Sequence, residues 1–333
     1  MEKVLLGGYF GFGNIGDEAI LLSEINFLKK DGYEPIVLTN RGIKVFECES
    51  INRYNFFKIF LKKREFNKFI LGGGGLFQDK TSFRSLIYYI FLIYFMKLLK
   101  KKVILFNVGI GPIKRSISKK LIIESFKISD LIILRDKYSY DFLPEFKNKF
   151  LSSDSTFSIN INNIEKENVV LLSLRNFEDL DLEKFKNFLN IIKNRYDLNI
   201  EFIVFSKEEI KISEYLNLKY FYSNDIIEII NKIASSSFLI GTRYHSIIFS
   251  IITNTPFIGF IYDIKVKNLI DELGLKNYIS PEDPIEDWIN KFCEFYKNRE
   301  SLNDSIKSKK SELIDRVKFG FEILRKFLKN EPI

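Results

Sequence analysis

The sequence is poor in the residues from which metal and redox sites are usually built. It has one histidine, His245, in 333 residues. A zincin or a two-histidine, one-carboxylate iron centre needs more than one, so both are excluded. No metal site is expected. The two cysteines, Cys48 and Cys293, stand far apart and form no close metal or redox pair; ordinary reduced thiols are expected. There is no Walker A sequence, and none of the zinc-finger spacing, aromatic RNA-binding motif or Arg-rich tail that would point to nucleic acid. Long apolar runs are lacking too. The best candidate, residues 86–96 (LIYYIFLIYFM) between Arg84 and Lys97, is too short to span a hydrocarbon core. It reads as a buried helix, or as one that touches a bilayer or a partner. Only Val4, Leu5 and Leu6 separate Lys3 from the first glycine, so no signal peptide is expected and the location reads as cytoplasmic.

What is present is a chain long enough for two ordinary cores, with 46% hydrophobic and 28% charged residues. The formal net charge of +8 fits first a lysine-rich solvated surface, with which attraction to an anionic substrate or membrane surface is compatible. Short apolar runs bounded by glycine alternate with helical patterns. Strands are expected near 3–6, 34–39, 69–71, 103–108 and 131–134, and again near 169–174, 201–205, 238–240 and 257–261. Helices are expected near 17–30, 117–128, 182–192, 226–235, 245–252 and 266–273. Continuous apolar strands between helices predict parallel sheets. The polar stretch 160–168 (NINNIEKEN) reads as a linker. The fold expected is α/β, with two Rossmann-like domains facing across a cleft, over residues 1–162 and 168–300. A charged helical segment, 301–333, is expected to pack on a domain or bridge back to the first one.

Gly11, Gly13 and Gly16 match G-x-G-x-x-G between a strand and a helix. A dinucleotide fingerprint also requires an acid at the end of the next strand; that strand ends at Leu38, Thr39 and Asn40. Asp17 adds negative charge where a pyrophosphate would approach. Dinucleotide binding is therefore not expected, although these glycines bring backbone near a ligand and Asn14, Asp17 and Glu18 set polar groups beside them.

Residues 8–22 (GYFGFGNIGDEAILL), 71–79 (LGGGGLFQD), 107–112 (NVGIGP), 134–139 (LRDKYS), 173–175 (SLR), 241–250 (GTRYHSIIFS) and 255–266 (TPFIGFIYDIKV) together resemble, in order, the motifs of the polysaccharide pyruvyl transferase family. The resemblance covers most of residues 4–270. It implies a fold similar to the two-domain (GT-B type) glycosyltransferases, with the acceptor on the N-terminal domain and the donor on the C-terminal one. It implies phosphoenolpyruvate as co-substrate and a sugar acceptor, lipid-linked or polysaccharide, receiving a pyruvate ketal with release of phosphate. No other cofactor is implied. Such an acceptor and the +8 charge make association with the inner face of the membrane an expectation. Where the family has an Asp-Pro-like segment, Asp154 is followed by Ser155.

A donor carrying a carboxylate and a phosphate needs cations in a sheltered place, and two proton transfers. Arg175 and Arg243 follow apolar strands, where open α/β sheets bind ligands, and are expected to clamp the donor; Arg135 also ends a strand, beside Asp136. Gly11, Gly13, Asn14, Gly16, Gly74 and Ser246 complete the expected substrate-binding set. His245, the only side chain with an unperturbed pKa near neutrality, is the expected proton-transfer residue. Asp17 is the expected partner of an acceptor hydroxyl. Two other function classes fit the sequence: a nucleotide-sugar-dependent glycosyltransferase, and a non-catalytic glycan-binding protein of envelope assembly.

Overall fold

Val4, Leu5 and Leu6 are fully buried, as a strand covered on both faces must be. The computed structural model describes residues 2–80, 82–162, 164–175 and 180–333 and puts this strand inside a seven-stranded sheet. The first unit runs β1 (Glu2–Gly7), α1 (Ile15–Lys30), β2 (Tyr33–Thr39), β3 (Glu49–Asn52), α2 (Phe56–Leu61), β4 (Phe66–Phe77), α3 (Phe83–Leu98), β5 (Lys102–Ile110), α4 (Ser116–Lys127), β6 (Leu131–Leu134), α5 (Lys137–Phe142) and β7 (Lys149–Leu151). Spatial order is β3-β2-β1-β4-β5-β6-β7, every pairing parallel. The order reverses between β1 and β4, the crevice where doubly wound sheets take ligands.

Side-chain alternation gives this sheet two apolar faces. Leu5, Phe69, Leu71, Val103 and Leu105 join Leu86, Tyr89, Ile93 and Met96 of α3 and Ile122 and Phe126 of α4 in one core. The buried stripe of α3 lies within residues 86–96, the apolar run of the sequence. Their chain neighbours Ile70, Ile104 and Phe106 are buried as well.

The second unit holds β8 (Val170–Ser173), α6 (Leu182–Tyr196), β9 (Ile200–Ile203), α7 (Ile210–Tyr215), β10 (Tyr220–Phe221), α8 (Ile226–Ser235), β11 (Phe238–Gly241), α9 (Tyr244–Ile252), β12 (Phe257–Phe260), α10 (Ile264–Glu272) and β13 (Tyr278–Ile279). Its parallel order, β10-β9-β8-β11-β12-β13, reverses between β8 and β11. Phe185, Phe188 and Ile192 of α6 pack on Leu172, Phe202, Ile240 and Phe260, with Trp288 and Phe292 closing the same core. The fold is thus two Rossmann-like units, each built on one parallel sheet.

Compact units divide the chain as Met1–Ser158 with Leu313–Ile333, and Ile159–Glu312. Asn163, in the polar stretch read as a linker, lies outside the described residues. Two sequence expectations change. The charged tail helix does not start at residue 301: α11 runs from Ile285 to Leu328, and its residues from Leu313 onward belong to the first unit. The run Gly72–Gly75 does not follow a strand but lies inside β4. Parallel pairing uses only backbone N–H and C=O groups, so missing side chains do not end a strand that has neighbours on both sides.

Candidate functional site

In the first unit the strand-to-helix turn is built from glycine because its backbone demands it. Gly11 and Gly13 have φ of +75° and +73°. Asn14 caps α1, its Oδ1 accepting from Gly16 N at 3.3 Å, while its Nδ2 donates to Asp17 Oδ2 at 2.5 Å. Gly74 has φ +84°, and a Cβ there would lie 3.0 Å from Asp17 Oδ1, so its bare backbone makes room for that carboxylate. The structure therefore brings Gly11, Gly13, Asn14, Gly16, Gly74 and Asp17 together.

The turn's N–H groups are already used, however. Gly11 N donates to Glu18 Oε1 at 2.8 Å and Gly13 N at 3.4 Å. A carboxylate of the chain itself stands where a phosphate would bind. Burial raises the Glu18 pKa to about 7; the backbone N–H groups work against this and the Asp17 charge adds to it. Beneath the turn, buried Arg53 donates from Nη1 to Gly8 O at 3.1 Å, with its guanidinium 4.2 Å from the Tyr88 ring. Glu18 and Arg53 thus place the protein's own charges on the turn that follows β1. Sequence reasoning noted Glu18 as a polar neighbour but could not see this bond.

Arg135 follows β6 and is 4% exposed. Its Nη1 lies 3.1 Å from Asp154 Oδ2 and its Nε 3.5 Å from Asp136 Oδ2. Asp154 also accepts from Thr156 N at 3.1 Å and Thr156 Oγ1 at 2.8 Å. Arg135 is therefore not an anion clamp: its charge is answered inside the unit by two carboxylates.

In the second unit β8 and β11 pair up to Ser173 and Gly241, the strand ends that flank the topological reversal. The segments that follow are stitched together: Arg175 N donates to Thr242 Oγ1 at 2.9 Å, and Thr242 N to Ser173 O at 2.8 Å. Arg243 comes next, as the N-cap of α9, but it supplies no side-chain bond to that helix. Its Nε and Nη2 bind Glu209 Oε1 instead. Glu209 Oε2 accepts from Phe205 N at 2.8 Å and Ser206 N at 3.2 Å. Burial holds the Glu209 carboxyl above its usual range, with Arg243 as the main counterweight. Two expectations are corrected here. Arg243 is a neutralised, buried brace of the α9 start rather than half of a clamp. Ser246 is fully buried and donates to Arg243 O at 2.8 Å, closing the first turn rather than facing a ligand.

Arg175 is the exposed cation at this edge. Partial burial works to lower its pKa, but the Tyr262 hydroxyl and the Glu208 and Glu209 carboxylates more than offset this and hold it above the ordinary value. His245, half-buried, is in the first turn of α9, its ring edge-on to Tyr244 at 5.4 Å and 6.2 Å from Phe249. Arg175, Tyr262, His245 and the positive end of a nine-residue helix thus share the C-terminal edge of one sheet. Glu209 and Tyr262 were missed as site residues. For Glu209 a signal existed: Ser206-x-x-Glu209 is a capping box. Among the described residues no group of three His, Cys, Asp or Glu is placed to hold a metal ion.

The ordered motifs identify the sequence. The family described as Polysaccharide pyruvyl transferase matches residues 14–264, more than half of the chain. The chain belongs to that family. No curated protein matches this polysaccharide pyruvyl transferase family member. Solved structures do. S. aureus MnaA with UDP aligns at TM-score 0.65 and 10% identity, over 100% of this chain and 99% of that one. The UDP-GlcNAc 2-epimerase of Methanocaldococcus jannaschii, in complex with UDP-GlcNAc and UDP, aligns at 0.63 and 14%, over 99% and 100%. The spinosyn rhamnosyltransferase SpnG aligns at 0.62 and 8%, over 99% and 100%. At such identities the likeness establishes the fold.

The expectation of phosphoenolpyruvate is corrected by this finding: the structures that share the fold are named for UDP, UDP-GlcNAc and a rhamnosyltransferase. Phosphoenolpyruvate as co-substrate and partner, and the ketal-forming, phosphate-releasing reaction built on it, therefore do not stand. Arg243, one half of the expected clamp, is engaged by Glu209.

Proposed function

We propose that the chain is a nucleotide-sugar-dependent glycosyltransferase whose second unit takes the donor. The observation that carries this is the contrast between the two reversal points. In the first unit the turn's N–H groups already serve Glu18, and Arg53 holds Gly8 O. In the second, the crevice edge presents the N-terminus of α9 with an exposed cation, Arg175. A diphosphate seated on the first-turn N–H groups would meet the helix dipole and one guanidinium. The nucleotide-sugar enzymes that share the architecture support the same class of ligand.

In the reaction, an acceptor hydroxyl oxygen bonds to the anomeric carbon, the bond from that carbon to the phosphate oxygen breaks, and the nucleoside diphosphate leaves with added negative charge. Arg175 and the α9 N–H groups answer that charge. His245, on the same turn, is assigned the proton chemistry at the departing phosphate. The proton of the acceptor hydroxyl passes to Asp17. The protein is proposed to work in the cytoplasm, where two thiols that are both free would stay reduced.

Titration calorimetry with UDP, dTDP and their sugars, and with phosphoenolpyruvate as comparison, tests the donor. At least one nucleotide should bind, and Arg175→Ala should weaken it by about 2 kcal/mol or more. Failure of every nucleotide, or binding unchanged in that variant, overturns the reading. His245→Gln should keep nucleotide affinity and lose roughly 10²-fold in turnover; a rate within a few-fold of the parent would end its proton role.

A further inference from the structure

Helices α2 and α3 of the first unit send large apolar side chains into solvent. On α3, Ile87, Phe91, Tyr94 and Leu98 are exposed at three- and four-residue spacing, one face of the helix, while the opposite face is core. On α2, Phe57 and Leu61 are 72% and 63% exposed, with Phe60 beside them. The two faces adjoin, because the Phe56 ring packs edge-on against Phe91 at 5.0 Å and Phe95 at 5.5 Å. Together they form an unpartnered apolar surface, of the kind that marks an interaction site.

Charge says what should cover it. Residues 54–64 and 83–102 contain lysines and arginines and not one acid. Lys62 is paired with Glu49 and Glu65, and Lys97 and Lys102 with Asp130. Lys58, Lys63, Arg64, Arg84, Lys100 and Lys101 make no ion pair among the described residues. Burial and then the charge of Lys63 push the Lys101 ammonium below its ordinary range, so the helix ends repel one another. A second copy of the chain would bring the same cations into a twofold interface and add to that repulsion. An anionic surface would relieve it.

We infer that the α2–α3 face is a docking surface for an anionic lipid bilayer. Phe57, Phe91, Tyr94 and Leu98 enter the headgroup boundary, and the lysines and arginines of the two helices and their ends meet lipid phosphates. This stands independently of the donor reading, because the face is remote in sequence from α9 and Arg175.

The test is sedimentation of the full chain with vesicles of phosphatidylcholine alone or mixed with phosphatidylglycerol. Binding is expected to the mixed vesicles at low salt, at least 10-fold weaker to the neutral ones, and weakened by salt. Phe57→Ser with Phe91→Ser should lower it about 10-fold, as should Lys63→Glu with Arg64→Glu, with unchanged thermal melts and nucleotide affinity. Three results each overturn the inference: no sedimentation with anionic vesicles at low salt, equal binding by folded variants, or a chain that is dimeric by light scattering and becomes monomeric in the Phe57→Ser, Phe91→Ser variant.

Discussion

Arg243 and Glu209 show what a single buried pair can decide. The pair is almost closed to solvent, and each partner also serves the backbone. Arg243 caps α9 through its main chain, and Glu209 holds Phe205 and Ser206. Glu209→Gln would leave a buried guanidinium without its counter-charge. A loss of about 3–5 kcal/mol is expected in urea unfolding of the second unit, with less when both are replaced by apolar residues of similar size. A loss below about 1 kcal/mol would mean that water reaches the pair. Glu18 makes a different residue-scale prediction. Its folded pKa, about 7, lies above the ordinary carboxyl value of 4.5. Between these values the folded state holds the extra proton. Its contribution to stability is therefore complete below about pH 4.5 and is lost as pH rises through about 7. The loss is at most roughly 3 kcal/mol. Glu18→Gln should flatten the fall in melting temperature between pH 5 and 8; parallel profiles for parent and variant would show that Glu18 does not titrate there.

At the scale of elements, β4 is the one most shaped by what its residues lack. A Cβ on Gly72 would lie 2.0 Å from Glu24 Oε2, and one on Gly73, at φ +24°, 2.1 Å from Ile20 Cγ2. The run lets α1 lie directly on the strand. Gly73→Ala should cost about 2 kcal/mol or more by combining overpacking with backbone strain. Gly13→Ala meets nothing within 4 Å and should cost only the left-handed backbone term, ~1 kcal/mol. Chemical denaturation of the two variants separates the causes; equal losses would remove the packing account. The same glycines mark where sequence reading stops. Residues 131–134 and 226–235 coincide with β6 and α8 because an apolar run or a helical stripe carries its own boundaries. The short β3, β7, β10 and β13 have two to four residues each and exist only through neighbours distant in sequence. The site was legible in the same uneven way. Strand-end placement located Arg175 and His245, but Asp154 and Glu209 lie 19 and 34 residues from the arginines they meet, and neither Asp136 beside Arg135 nor the capping box at Glu209 reveals those long-range pairings.

At the scale of the whole molecule, the two ends of α11 serve different cores. Trp288, Phe292 and Phe295 complete the core of the second unit. Val317, Phe321, Leu324 and Leu328 are buried in the first, where the Phe321 ring lies 4.6 Å from Phe27 and 5.0 Å from Phe106. Polar contacts fasten the same stretch: Arg325 Nε reaches Asp31 Oδ2 at 2.7 Å, and Lys68 Nζ donates to Leu328 O at 2.7 Å. Four apolar side chains at about 1.5–3 kcal/mol each amount to on the order of 10 kcal/mol. That is comparable with the ~5–15 kcal/mol that holds a typical domain folded. A chain ending at Glu312 would still carry every strand of both sheets. It should nevertheless fail to fold its first unit, whereas the second keeps its Trp288 cluster intact. Hydrogen exchange resolved by peptide distinguishes the halves: amides of α1 and β5 should lose their protection in the truncated chain, and those of α6 and β8 should keep theirs. Protection of α1 and β5 equal to that of the full chain would mean that the first sheet is stable without the returning helix, and that residues 313–333 only cover a core already complete.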